Sequence, residues 1–363
     1  MVNFAEINME SLLGREPIRM DMTPAAGLIR GRRVLVSGAA GSIGSELSRQ
    51  LLRLEPEMLV LLDRAETPLH DLELELAGHT AVRVVIGDCT DEAAMRRLFA
   101  KCRPEIVFHA AAYKHVPMME HNPHAAITNN LSSTRLLVDL SARAGVDRFV
   151  MVSTDKAVNP TNVMGASKRA CELYVQSRTS SRTRFITTRF GNVLGSQGSV
   201  IPLFLRQIAR GEPLTVTHPE VRRYFMLISE ACRLVLLAAA LGRGGEIFAF
   251  DMGEQVRIAD LARRVITLCG TGRERIVFTG LRPGEKLYEE VLTSDEQTLP
   301  GPHPKIKVAR VRPAERAAVE PAVGKLLALA ADPESTPEAV VSALKRLVPE
   351  FKSLNSPYSV LDS

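Results

Sequence analysis

At 363 residues the chain is longer than one hydrophobic core usually organises, so one large two-part domain or two closely packed domains is expected. A hydrophobic content of 45% and a charged content of 24% exclude a disordered or fibrous protein. The net charge of +5 comes from 46 Lys and Arg scattered against 41 acidic residues, without a dense basic block, and suits an anionic small molecule as well as nucleic acid. The five Cys, at 89, 102, 171, 232 and 269, have no pairing or ligand spacing, which predicts free thiols and no bound metal. The longest apolar run, Leu234 to Leu241, is too short for a bilayer and the N-terminus has no signal pattern, so a cytoplasmic location without membrane insertion is expected.

Residues 1–31, with Pro17 and Pro24, read as an N-terminal arm with no strand. Six short apolar runs then alternate with helix-length sequence: Arg32 to Ser37, Met58 to Asp63, Val82 to Gly87, Glu105 to His109, Arg148 to Val152 and Arg184 to Arg189. That rhythm predicts an α/β fold, a doubly wound parallel sheet, with a dinucleotide-binding domain over 32–192. After Asn192 the Gly- and Pro-punctuated loops predict a smaller C-terminal substrate-binding part over 193–320, of which 222–245 returns to the first domain. Residues 321–363 read as a helical segment, with a helix over Thr336 to Leu347 and a polar, mobile tail.

"VLVSGAAGSIGSE" puts Gly38, Gly41 and Gly44 after the first strand and at the mouth of an amphipathic helix. A tight turn, close approach of backbone to a pyrophosphate and close packing of helix on strand all need glycine there. The cofactor set in this loop is Gly38, Gly41, Ser42, Ile43 and Gly44. Asp63, ending the second strand, can accept from both ribose hydroxyls and repels a 2'-phosphate, which favours NAD. Arg64 beside it could attract that phosphate, which leaves NADP open. Asp88 ends the third strand in "IGDCT", with Cys89 next to it, and reads equally as an adenine contact or a turn cap.

The fifth strand delivers Ser153, Thr154, Asp155 and Lys156 to the carboxyl edge of the sheet, where open α/β folds bind ligands. A helix predicted over Asn162 to Arg178 sets Met164 and Lys168 one turn apart on one face, with Lys168 toward a nicotinamide ribose.

With "LLDRAETPL", "FHAAAYKHVPMME", "VSTDKAVNPTNVMGASKR", "TTRFGNVLGSQGSVIPLF", "RRYFM" and "LRPGEKLYEE", the chain resembles the sugar-nucleotide branch of the extended short-chain dehydrogenases over residues 32 to about 310. More closely it resembles the UDP-N-acetylglucosamine 4,6-dehydratases of polysaccharide biosynthesis. The resemblance implies transient oxidation at carbon 4 by NAD, loss of water across carbons 5 and 6, and hydride return to carbon 6. By that analogy Asp155 is the acid for the departing hydroxyl and Lys156 the base at carbon 5, while Thr154 bonds the 4-hydroxyl oxygen. Met164 occupies the place of the family's Tyr, four residues before Lys168, and a thioether carries no transferable proton. A Met there marks one branch of these dehydratases and implies retention at carbon 5. The group that deprotonates the 4-hydroxyl stays open between Asp155 and a water near Lys168.

The resemblance further implies Ala110, Ala111, Ala112 and Asn130 at the cofactor. It implies Lys114, His115, Glu120, Asn192, Ser199, Val200, Arg223, Arg282 and Glu285 at a UDP-sugar. The expected partners are that substrate and a second copy of the chain, with no nucleic acid. A UDP-sugar 4-epimerase is the alternative enzyme, opposed by Met164 and the Asp155–Lys156 pair. A catalytically dead dinucleotide sensor is the alternative outside enzymes.

Overall fold

The computed structural model describes Met9, Leu12, Ile18 and residues 20–178, 182–270, 274–292, 298–309 and 314–362, so most of the predicted arm lies outside the described residues. Its last part is not a loose lead-in: helix α1 (Thr23–Ile29) has a proline in its first turn and buries Ala25 and Ile29 against the sheet layer.

Strands and helices then alternate as the apolar runs require. β1 (Arg33–Ser37), α2 (Ser42–Leu52), β2 (Met58–Asp63), α3 (Glu66–Glu75), β3 (Val82–Ile86), α4 (Glu92–Cys102) and β4 (Ile106–His109) form the first half. Short helices α5 (Val116–His121) and α6 (Pro123–Ala126) run through a π-helical turn, Ile127–Leu131, into α7 (Ser132–Ala144). β5 (Arg148–Thr154), a 3-10 turn at Asp155–Ala157, α8 (Val163–Gln176) and β6 (Arg184–Phe190) complete the six expected strands. All six are parallel, and β1 lies between β2 and β4, which opens a crevice at the carboxyl ends of β1 and β4.

Beyond Val193 come α9 (Val200–Ala209), α10 (Ile228–Leu241), β7 (Ile247–Phe250) and α11 (Ile258–Cys269), then β8 (Thr298–His303) and β9 (Ile306–Ala309). The sheet therefore has nine strands in the order β8-β9-β7-β6-β5-β4-β1-β2-β3. β7 extends the parallel set beside β6, and β9 and β8 continue it antiparallel. The last three escape a reading by rhythm because "IFAF" is four residues long and helix-length spacing no longer precedes the hairpin.

One face of the sheet is covered by α4, α7 and α8, with α12 (Arg316–Ala331) and α13 (Pro337–Leu347) packed outside them. The other is covered by α1, α2, α3 and α10, so the segment 228–241 packs on the sheet. A separate apolar cluster joins α9 and α11 through Phe204, Leu205, Leu261 and Val265.

The tail expected to be mobile is docked. Phe351 and Tyr358 are buried, and the amides of Lys352 and Leu354 donate to the carbonyls of Pro160 and Thr161, each at 3.1 Å. Two aromatic side chains and a set of backbone partners outweigh the polar composition that suggested disorder.

At the centre of the sheet Glu172 of α8 is completely buried. Its Oε1 accepts from Ser153 Oγ of β5 (2.7 Å) and Arg189 Nε of β6 (2.8 Å); its Oε2 accepts from Arg189 Nη2 (2.7 Å) and Arg169 Nη1 (3.1 Å). Burial alone raises a carboxyl, but the Arg189 and Arg169 guanidiniums and the Ser153 hydroxyl reverse it and hold Glu172 at about 2. Because that value lies below the unfolded one, the pair's contribution to stability is complete above the ordinary carboxylate range and is lost as pH falls through about 2. Glu172→Gln removes the buried carboxylate that Arg189, Arg169 and Ser153 share, and the expected loss in urea unfolding at neutral pH is about 3 kcal/mol or more. The difference between the two proteins should shrink as the measurement is moved into acid.

Candidate active-site cleft

The crevice at the carboxyl edge holds two adjoining cavities, of about 170 and about 670 Å³, which share Gly38, Gly41, Ala110, Ala112 and Tyr113. In the turn after β1, Gly38 has φ +70°, and a Cβ on it would lie 2.5 Å from the Ala111 amide nitrogen. A Cβ on Gly44 would lie 2.0 Å from the Gly38 carbonyl oxygen, so α2 can start this close to the strand only with glycine there. Gly41 caps α2, and Ser42, Ile43 and Gly44 of its first turn line the larger cavity, which presents the positive end of the helix to it.

Asp63, Arg64, Asp88, Cys89 and Ala111 line the smaller cavity. Asp63 accepts from the amides of Ala40 (2.9 Å) and Ala65 (3.0 Å), which fixes the carboxylate while leaving each oxygen a second lone pair. Arg64 is engaged: its Nη1 donates to Asp88 Oδ2 (3.3 Å), its Nη2 to the Tyr113 hydroxyl, and its guanidinium lies 4.7 Å above the Tyr113 ring. Asp88 caps its turn, its Oδ1 accepting from the amide and hydroxyl of Thr90, each at 2.8 Å, and it lines the smaller cavity. Burial pushes the Cys89 thiol up to about 12, so Cys89 is a wall and not a nucleophile. A turn that only glycine can make, a helix N-terminus and a fixed carboxylate together fit a dinucleotide.

Thr154, Lys156, Met164 and Lys168 line the larger cavity. Asn162 caps α8 by accepting from the Gly165 amide at 2.7 Å, and from that cap Met164 and Lys168 follow on the buried face. The Lys168 ammonium is buried and has no hydrogen-bond partner among the described residues, and burial lowers its pKa. Such a group is waiting for an oxygen. Lys156 Nζ donates to Asp155 Oδ1 (3.0 Å) and to Asn192 Oδ1 (3.1 Å).

Three expected contacts take other positions. Asp155 is wholly buried and does not line the cavity; its Oδ1 accepts from the Thr154 hydroxyl at 2.9 Å, so the lining Thr154 stands between it and any bound molecule. Glu120 is also buried, away from the cavity: it accepts from the Val163 amide (2.6 Å) and the Ser356 hydroxyl (2.6 Å), tying α8 to the tail. Asn130, in the π-helical turn, accepts from the Tyr113 amide (2.7 Å) and donates to the Tyr113 carbonyl (3.1 Å) and to Ser167 Oγ (3.0 Å). It fastens the Ala110–Tyr113 segment to α8 and reaches a cofactor only through that segment. Glu120 and Asn130 are satisfied by internal partners, whereas Asp155 keeps its Oδ2 buried without one; none of these pairings is visible in spacing.

At the far end, Lys114 donates to the Gln197 carbonyl at 2.7 Å, and burial, then Lys156, lowers its pKa; burial, then Lys114, lowers that of His115. Ser199 caps α9 with its Oγ buried and unpartnered, and Val200 begins the helix. Arg223 Nη2 donates to Glu285 Oε1 (3.2 Å), which also accepts from Thr217 Oγ1 (3.0 Å), while the Arg282 amide donates to Glu285 Oε2 (3.1 Å). These residues and Asn192 all line the cavity. Tyr113, Gln197 and Thr217 line it too and were not foreseen; Tyr113 directly follows the Ala110–Ala112 run, the one signal that could have pointed to it.

The sequence profile of a family described as "Polysaccharide biosynthesis protein" matches residues 34–311. The probable polysaccharide biosynthesis protein EpsC of Bacillus subtilis is 47% identical over 312 residues, 84% of this chain; the chain spans about half of that relative, 52%. A UDP-N-acetylglucosamine 4,6-dehydratase (inverting) of Campylobacter jejuni is 33% identical over 75% of this chain and 80% of its own length. The crystal structure of Pen from Bacillus thuringiensis superposes with a TM-score of 0.73 at 33% identity, covering 79% of this chain and 92% of that one. A match over the whole sheet and both sides of the cleft leaves one assignment: the chain belongs to the polysaccharide biosynthesis protein family and has the fold of the extended short-chain dehydrogenases.

Proposed function

We propose that the chain dehydrates UDP-N-acetylglucosamine to the UDP-4-keto-6-deoxy amino sugar, with NAD as cofactor. The observation that carries the proposal is the Lys156 ammonium at the cavity wall, bonded to Asp155 and Asn192, in a cleft where Met164 replaces the usual proton-transferring Tyr. NAD over NADP is supported by Asp63 and by an Arg64 already engaged with Asp88 and Tyr113. When bound, NAD supplies the hydride acceptor and donor that link carbon 4 to carbon 6.

The chain's own residues account for the protons. Thr154 accepts the 4-hydroxyl proton and passes its own to Asp155 through their 2.9 Å hydrogen bond, which gives Asp155 a role despite its burial. Lys156, in its neutral form, takes the carbon 5 proton. Asp155 returns its proton by the same hydroxyl to the departing 6-hydroxyl, so the water that leaves carries the original 4-hydroxyl proton. Lys156 gives a proton back to carbon 5 from the face that lost it, which retains configuration. Lys168 bonds the nicotinamide ribose, and the Ser199–Val200 helix start with Arg223 and Arg282 faces the diphosphate. A 4-epimerase needs one reversible base at the 4-hydroxyl and no elimination pair, which is why it is the second reading.

Incubation of the protein with UDP-N-acetylglucosamine in heavy water, followed by mass spectrometry and proton NMR, should give a 6-deoxy-4-keto sugar with deuterium at carbon 5. Formation of the 4-epimer instead selects the second reading, and no conversion of any UDP-hexose rejects both. Lys156→Ala and Asp155→Asn should each lower kcat by about a hundredfold or more while leaving NAD affinity, read by fluorescence or calorimetry, near that of the parent.

A further inference from the structure

Behind the wall of the cleft, and not lining it, lies Glu289 of "LRPGEKLYEE". It is 4% exposed, its Oε1 is 4.0 Å from Lys156 Nζ and 3.9 Å from Arg223 Nε, and its Oε2 is buried without a partner. Gln255 Nε2 holds the Glu289 carbonyl at 2.7 Å, so the side chain is presented to Lys156 from fixed backbone. The charged groups around the pair are Asp155 and Lys114 on the Lys156 side, Arg223 with its partner Glu285, and Lys286, whose Nζ is 3.7 Å from Glu290.

We propose that Glu289 is a positioning residue for Lys156: as a neutral carboxyl it leaves the Lys156 amine free to turn from Asp155 and Asn192 toward the cavity, and as a carboxylate it holds Lys156 as an ammonium against the wall. Arg223, 3.9 Å from Glu289, is also paired with Glu285 at 3.2 Å, and Lys286 with Glu290; Lys156 lies between two carboxyls, Asp155 at 3.0 Å and Glu289 at 4.0 Å, so loss of the Glu289 proton shifts its balance between them. Burial raises the Glu289 carboxyl above the usual range; Lys156 opposes this and Asp155 reinforces it. Neutral Glu289 thus persists to higher pH than an ordinary carboxyl, and ionisation on further rise in pH is the inactivating direction.

The role in turnover rests on the dehydratase reading, so the test has one arm without turnover. In the wild type kcat should fall on the alkaline side as Glu289 ionises; in Glu289→Gln that limb should move up by about one pH unit or vanish, with Glu289→Asp keeping it. In lysine-labelled protein the Lys156 13Cε signal, assigned with Lys156→Arg, should report the Glu289 ionisation in the wild type and not in Glu289→Gln. Profiles that superimpose, or an equal loss of kcat at every pH in both variants, overturn the proposal. A Lys156 signal that responds as expected in a protein making no product supports the coupling and rejects the dehydratase reading alone.

Discussion

The buried bond set around Glu172 is what the site's geometry depends on. One carboxylate of α8 is gripped by Arg189 of β6, Ser153 of β5 and Arg169 of its own helix, with no solvent to compete. β5 ends in Thr154, β6 is followed by Asn192, and α8 carries Met164 and Lys168. Their mutual placement is therefore fixed from beneath the cleft by a single charge-assisted network.

The same economy recurs around it. Asn130 joins the Ala110–Tyr113 segment to α8, and Glu120 joins α8 to the C-terminal tail. Gly284 draws in the opposite wall, since its carbonyl accepts from Thr161 Oγ1 (2.9 Å) and Asn162 Nδ2 (3.1 Å) while its amide donates to the Leu354 carbonyl (2.7 Å). Polar residues that do not line the cleft thus set the distances between residues that do. Where such a bond is buried, as at Asn130–Ser167, Asn162–Gly284 and around Glu120, losing one partner leaves the other unsatisfied, and the penalty exceeds the bond's net worth.

Much of this was legible in the chain. Parallel strands buried on both faces must be continuous apolar runs, so the six runs gave six strands with ends displaced by two residues or fewer. The glycines of the first turn were readable because backbone contact at 2.0 to 2.5 Å admits no side chain. Lys156 and Lys168 were readable from their offsets to those strands, and Asn192 only from the family resemblance. β7, β8 and β9 were not, since four apolar residues and a hairpin carry no distinctive period.

The sequence by itself determined the six parallel strands, the glycine turn after the first of them and the chemical types gathered at the carboxyl edge, because strand alternation and glycine sterics act over a few residues. Only the tertiary structure decided which polar side chains face the cavity. Asp155 sits under Thr154, Glu120 turns to Ser356 and Val163, and Glu289 comes up beneath Lys156 from a loop 133 residues away. A buried polar group takes the partners that lie near it, and which groups are near is settled by packing between distant segments, a quantity that local spacing does not contain.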